Sequence, residues 1–254
     1  MRALLARTPR LGQNTAIVRF LVWDFDGTLG YRVGRWSSAL HSVLHSVLHS
    51  VLEGTMPGHD FDREALGTQL RTGFPWHTPE VPHPAPSSPD QWWDALLPVL
   101  VRAFEAGGID PATSRTLAGR VREAYLDPRH WRLFDDTVPI LRELFSQGWV
   151  HLILTNHVPE LPEILRSLDL DEHVLRIFNS AESGYEKPHP RAFDGVLETV
   201  AGAEAAWMVG DSLKADVRGA EAVGLPAILV RGTRRGTGRH CESLSGIAGI
   251  VERA

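Results

Sequence analysis

Cysteine and lysine are scarce in this chain, and long apolar runs are missing. Cys241 stands alone, so no internal disulfide framework can form, a usage that suits a reducing cytoplasm, the expected compartment. Its thiol reads as incidental and half-buried. No segment reaches the roughly 20 apolar residues that span a bilayer. Near the start, Ala3-Leu4-Leu5-Ala6 lies between Arg2 and Arg7 and is too brief for a signal-peptide core, so residues 1–16 are expected to be a loose leader. The net charge of -5 gives no general attraction to nucleic acid or to an anionic membrane. The basic stretch from Arg231 to Arg239 reads as a solvated loop. Lys187 and Lys214 are the only lysines among many arginines, a bias that makes each one worth locating.

At 254 residues, one large α/β domain fits, or a core with a smaller insert. The apolar run Ile17-Val18-Arg19-Phe20-Leu21-Val22-Trp23 is β-branched and aromatic and reads as a buried strand. Trp23 is expected to pack in the core. Directly behind it stands Asp24-Phe25-Asp26-Gly27-Thr28, so two carboxylates leave the C-terminal end of the strand, where ligands sit in open α/β sheets. Asp24 and Asp26, two apart, share one face of an extended segment, and Gly27 permits a turn whose backbone N–H groups converge there. One carboxylate can attack while the other handles a proton. Taken alone, the motif is equally compatible with an acidic turn at a strand end.

Next, Leu40, Val43, Leu44, Val47, Leu48, Val51 and Leu52 recur at the spacing of an amphipathic helix. A four-residue repeat puts His41, His45 and His49 on one helix face, where adjacent pairs could clamp a metal. With no carboxylate or cysteine partner nearby, the stripe reads as a solvated face. The proline-rich stretch 72–93 forbids continuous helix or central strand and is expected to be a long loop. Helical patterns follow at 90–106, where Pro98 is expected to introduce a kink, and at 111–126, closed by Asp127-Pro128. Residues 31–131 thus read as a mostly helical insert. Strands at 149–155, 176–179, 206–209 and 226–230 then alternate with helices at 137–146, 160–168, 190–200 and 213–223. That alternation points to a doubly wound parallel α/β sheet, a Rossmann-like core of residues 17–30 and 132–254. Gly249-Ile250-Val251 is expected to add a short edge strand.

Three further polar clusters sit just past apolar strands or on the loops that follow. They are Thr155-Asn156, Lys187-Pro188, and Gly210-Asp211-Ser212 leading to Asp216. With these clusters, the chain resembles the haloacid dehalogenase superfamily of hydrolases. Its four motifs occur here in order, Asp-x-Asp-Gly-Thr, Thr/Ser-Asn, a Lys-Pro, and Gly-Asp-Ser-x-x-x-Asp, across Val18 to Val230.

The chemistry this implies is phosphate monoester hydrolysis, whose barrier demands a nucleophile, charge neutralisation and leaving-group protonation together. Asp24 is the expected nucleophile, forming an aspartyl-phosphate, and Asp26 the general acid and then base. The expected cofactor is Mg2+, a hard cation that takes oxygen ligands, held by the carboxylates of Asp24 and Asp211. The resemblance adds the backbone carbonyl of Asp26. Thr155 and the Asn156 backbone N–H are expected to bind phosphate. Lys187 supplies a cation to the phosphoryl group and the carboxylates. Asp216 is expected to orient Lys187 or a metal-bound water. Ser212 supports the fourth motif, and Thr28 is expected to steady the first loop by hydrogen bonding.

The insert corresponds to the family's helical cap, which closes over the site and selects the substrate, expected to be a small phosphorylated metabolite. Tyr31, Arg32 and Arg35 at its entry read as hinge-surface residues. Trp76, Trp92 and Trp93 either line an aromatic pocket or fill the cap's core. Asp26 favours a phosphatase over a dehalogenase, whose halide leaving group needs no acid. Two alternatives are a phosphomutase with the same core and a non-catalytic regulatory protein that binds a phosphorylated ligand. Oligomeric state is left open.

Overall fold

Strand β1 (Arg19–Trp23) is buried on both faces, which is why its sequence is a continuous apolar run rather than an alternation. In this computed structural model, residues 18–33, 49–57, 68–83, 88–231 and 239–253 are described. The leader, His41, His45, Arg35 and residues 84–87 and 232–238 of the two loops lie outside them. His49 falls in a helical stretch at 49–55.

Four elements within residues 30–133 come next in the chain. β2 (Gly30–Arg32) and β3 (Trp131–Leu133) pair antiparallel, so the two ends of the insert pass side by side in one ribbon. We take this ribbon as the seam between core and insert. Between its strands, α1 (Pro89–Ala106) packs on α2 (Pro111–Leu126). Both start on a side-chain cap followed by proline: Ser88 Oγ accepts from the Gln91 N–H, and Asp110 Oδ1 from those of Ala112 and Thr113. α1 continues through Pro98.

The core then alternates. α3 (Thr137–Ser146) leads to β4 (Trp149–Thr155), α4 (Leu161–Ser167) to β5 (Arg176–Asn179), and α5 (Ser180–Ser183) and α6 (Asp194–Val200) to β6 (Ala205–Gly210). α7 (Gly219–Ala222), β7 (Ala227–Val230), β8 (His240–Cys241) and α8 (Ile247–Val251) finish it. Six strands form one parallel sheet in the order β5-β4-β1-β6-β7-β8. The chain winds outward from β1 through β4 and β5, then crosses back to β6, so winding direction reverses beside β1. The carboxyl ends of β1 and β6 therefore open a crevice.

Alternate side chains build two core layers. Leu21, Trp23, Ile153, Val209 and Ile228 share one layer with the insert's Trp92, Trp93, Leu117 and Tyr125. Phe20, Val22, Leu152, Leu154 and Met208 form the other. Three expectations are corrected. The helix at 190–200 opens with a 3-10 turn, Pro190–Phe193, and that at 213–223 with a wide π turn, Leu213–Arg218. Gly249-Ile250-Val251 is helix, because Ile247, Ala248 and Val251 bury one helical face, and the edge strand is His240–Cys241 instead. No described helix is long and apolar enough to cross a membrane.

Candidate active site

The site starts where β1 ends. The Asp24 N–H donates to Val209 O (2.9 Å), which prolongs the β1–β6 ladder by one residue and leaves the Asp24 carboxylate buried at the crevice floor. A turn follows at once, with the Gly27 N–H bonded to Gly30 O (2.8 Å) and the N–H groups of Leu29 and Gly30 both bonded to Phe25 O. Gly27 has φ +87°, and a Cβ there would lie 2.6 Å from Asp211 Oδ2, so only glycine fits. The loop is thus held by its backbone. Among the described residues the Thr28 hydroxyl is buried without a partner, so it does not steady the loop as expected, although Thr28 O accepts from Arg231 Nε (3.0 Å).

Lys187 arrives on the loop after α5, joined to Pro188 by a cis peptide. Its buried ammonium donates to Asp24 Oδ1 (2.9 Å), Asp216 Oδ1 (2.6 Å) and Leu154 O (2.8 Å). All three of its donors are in use, which leaves only its charge to offer to an anion. Burial opposes that charge, but the Asp216 and Asp24 carboxylates outweigh it and hold the pKa above the ordinary lysine value. The Asn156 side chain fixes the loop: its Oδ1 accepts from the Lys187 N–H (2.8 Å) and its Nδ2 donates to Lys187 O (3.0 Å). No spacing in the sequence signals this clamp, since the two residues come from different loops.

Asp216 uses its second oxygen, Oδ2, to accept from the Ser212 N–H (2.9 Å), while Ser212 Oγ accepts from the Ala215 N–H (3.1 Å). A Cβ on Gly210 would fall 2.2 Å from Asp216 Oδ2, so the strand end must be glycine for that carboxylate to reach Lys187.

Asp24, Asp211 and Asp216 each bring a carboxylate oxygen within 4.8 Å of the others. Burial, then repulsion from Asp24, Asp216 and Asp26, pushes the Asp211 pKa up to about 9. Burial and the Asp24 charge raise Asp26 to about 7, against a downward pull from Arg32. Lys187 alone does not offset the charge around Asp211 and Asp26, and an oxygen-only donor set suits a hard divalent ion such as Mg2+. Asp216 has both oxygens engaged, whereas Asp211 accepts no hydrogen bond among the described residues.

A cavity of about 270 Å³ gathers Asp24, Asp26, Thr155, Asn156, Lys187, Ser212 and Asp216 in its wall. Five more wall residues are named by no motif: Trp76, His77 and Pro79 from the proline-rich segment, and Lys214 and Ala215 at variable positions inside the fourth motif. Trp76 does line the pocket, while Trp92 and Trp93 are buried in the core. Arg32 is not at the surface: it is buried, donates to Ala124 O (2.8 Å) and faces the Asp26 charge. Cys241 lies outside the cavity, half-buried, its thiol pushed up to about 11 by burial.

Residues 18–224 match the family described as haloacid dehalogenase-like hydrolase. The haloacid dehalogenase-like hydrolase domain-containing protein 3 of Bos taurus is 29% identical over 148 residues, which are 56% of this chain and 56% of that protein. The match thus spans little more than half the length of that relative. The ribulose-1,5-bisphosphate 5-phosphatase of Halopiger xanaduensis is 30% identical over 175 residues, 68% of this chain and 70% of that one. Among solved structures, a putative HAD-hydrolase from Bacillus subtilis bound to magnesium superposes with a TM-score of 0.67 at 19% identity, covering 92% of this chain and 99% of that chain. With the sheet order and the four motif loops meeting in one crevice, a match over residues 18–224 means that the chain belongs to the haloacid dehalogenase-like hydrolase family.

Proposed function

We propose that the protein is a magnesium-dependent phosphatase that hydrolyses a small phosphate monoester through an aspartyl-phosphate. The observation that carries this reading is one cavity wall holding Asp24, Asp26, Thr155, Asn156 and Lys187, with Lys187 Nζ at 2.9 Å from the Asp24 carboxylate. The kinship with a bisphosphate phosphatase supports it.

Asp24 attacks phosphorus with its carboxylate oxygen as the bond from phosphorus to the ester oxygen breaks. Asp26, whose pKa of about 7 keeps much of it protonated near neutrality, gives its proton to the departing oxygen. The same carboxylate, now charged, takes a proton from water that attacks phosphorus and frees Asp24. Lys187 holds the Asp24 carboxylate in place and offsets the charge that gathers on the phosphoryl oxygens. Thr155 and the Asn156 backbone N–H hold those oxygens. Mg2+, when bound by the Asp24 and Asp211 carboxylates and the Asp26 backbone carbonyl, supplies Lewis-acid neutralisation of the phosphate charge.

Phosphate release from p-nitrophenyl phosphate and from a panel of phosphorylated sugars, nucleotides and short acids, measured with Mg2+ and with chelator, tests the reading. Release that needs the metal is expected. Isomerised sugar phosphate in place of free phosphate would reassign the reaction to a mutase, and no turnover of any ester would overturn it.

A further inference from the structure

The cavity wall holds two cations, and they are the only lysines in the chain. Lys187 is fully engaged by Asp24, Asp216 and Leu154 O. Lys214, exposed at the rim, has no hydrogen bond or ion pair among the described residues. Trp76, His77 and Pro79 line the same cavity and bring no anionic group to Lys214. Trp76 is stacked on Phe74 with ring centroids 4.6 Å apart and 14° between planes, and the His77 Nδ1 accepts from the Phe74 N–H (3.3 Å), so this roof is ordered. The acids of the wall stand with Lys187, whose ammonium donates to both Asp24 and Asp216. A ligand whose phosphate meets Lys187 therefore shares its cavity with a second cation that no described carboxylate engages.

We propose that Lys214 is a specificity-determining residue that selects phosphate esters whose alcohol portion carries a second anionic group, a carboxylate or a second phosphate. The assignment rests on the phosphatase reading above and deepens it. Size sets the other limit: about 270 Å³ falls just below the usual range for drug-sized ligands, roughly 300–1,000 Å³, so the ester is small. Lysine, rather than the arginine this chain uses everywhere but at Lys187, places a compact point charge on a flexible stem. Such a charge has no planar fork to match, so it accepts a planar carboxylate or a tetrahedral phosphate alike.

Three esters on one three-carbon chain, ending in methyl, carboxylate or phosphate, test this with Mg2+ present: propyl phosphate, 3-phosphonooxypropanoate and propane-1,3-diol bisphosphate. The native protein is expected to favour at least one doubly anionic ester over propyl phosphate by about tenfold or more in kcat/KM. In Lys214→Ala and Lys214→Gln that ratio is expected to collapse to within about twofold of unity, through KM, while Lys214→Arg retains most of it. Which of the two esters carries the preference identifies the second anion. A native protein without the preference, or a ratio unmoved by both neutral substitutions, overturns the role of Lys214 and leaves the phosphatase reading standing. No phosphate released from these esters or from p-nitrophenyl phosphate overturns both.

Discussion

Asp26 faces opposite demands in the two halves of the proposed reaction, neutral in the first and charged in the second. Its surroundings answer them: burial and Asp24 lift its pKa to about 7, and Arg32 restrains the lift. Asp24, two residues away, is instead tied to the Lys187 ammonium. Asp24→Asn is expected to reduce phosphate release by at least about 10³-fold while the circular dichroism spectrum is unchanged, since the amide cannot form the acyl phosphate. Asp26→Asn is expected to slow alkyl phosphates by about 10²–10⁴-fold and activated aryl phosphates far less, because an aryl oxide leaves without a proton. Equal losses on both substrates would contradict the acid role.

Elements bring these side chains together through close approaches that leave room for no other residue. Gly210 ends β6 where Asp216 must pass beneath it to reach Lys187. Gly210→Ala is expected to push Asp216 aside and cost about 10²-fold in kcat, with a loss of about 1–3 kcal/mol in unfolding free energy as the buried bonds of Asp216 break. Between β1 and β4, His151 accepts from Trp23 Nε1 (3.1 Å) on Nδ1 and donates from Nε2 to Leu141 O (2.9 Å), an arrangement that requires the neutral ring. Burial chiefly holds its pKa down to about 4, from an ordinary value of 6.5. The unfolded chain therefore binds the extra proton between pH 6.5 and 4, so stability is complete above 6.5, falls as pH drops through that window, and levels off below 4. The loss is about 3 kcal/mol for this ring. His157, also buried and held down to about 4, titrates in the same window. Urea midpoints measured from pH 7 to 4 should show the fall, and His151→Gln should flatten it by about half.

Across the whole molecule, the insert is fastened to the core at two places beside the site. Glu160, buried after β4, accepts from Trp93 Nε1 (3.1 Å) on α1 and Arg122 Nε (2.8 Å) on α2. On the other flank, the His83 N–H donates to Gly184 O (3.0 Å), and its ring meets Glu186 (3.1 Å) just before Lys187. These ties carry the proline-rich segment over the crevice. Glu160→Gln is expected to cost about 2 kcal/mol in unfolding free energy and to speed tryptic cleavage within α1 and α2, as the charge that binds both helices is lost. Unchanged cleavage would show that the insert is held elsewhere.

The sheet, the four motif loops and the placing of Asp24 and Asp26 behind one strand were legible in the sequence, because each depends on local rules. An unbroken apolar run means a strand buried on both faces, glycine permits the turn behind it, and polar residues placed just after such strands emerge at one edge of a parallel sheet. Lys187 and Asp216 could be named as partners by their motifs, but the Asn156 clamp, the buried Arg32, the Glu160 fastening and the roof of Trp76, His77 and Pro79 could not. Each joins residues distant along the chain, and no periodicity records which side chains a fold will bring within hydrogen-bonding distance. The same separation explains the misread end of the chain, where a short apolar stretch suits strand and helix equally until neighbours decide which face is buried. Sequence alone determined the kind of chemistry, since that follows from residue types at strand ends. Only the tertiary structure decided what that chemistry is enclosed by, because the walls of a cavity are assembled from segments that local interactions never bring together.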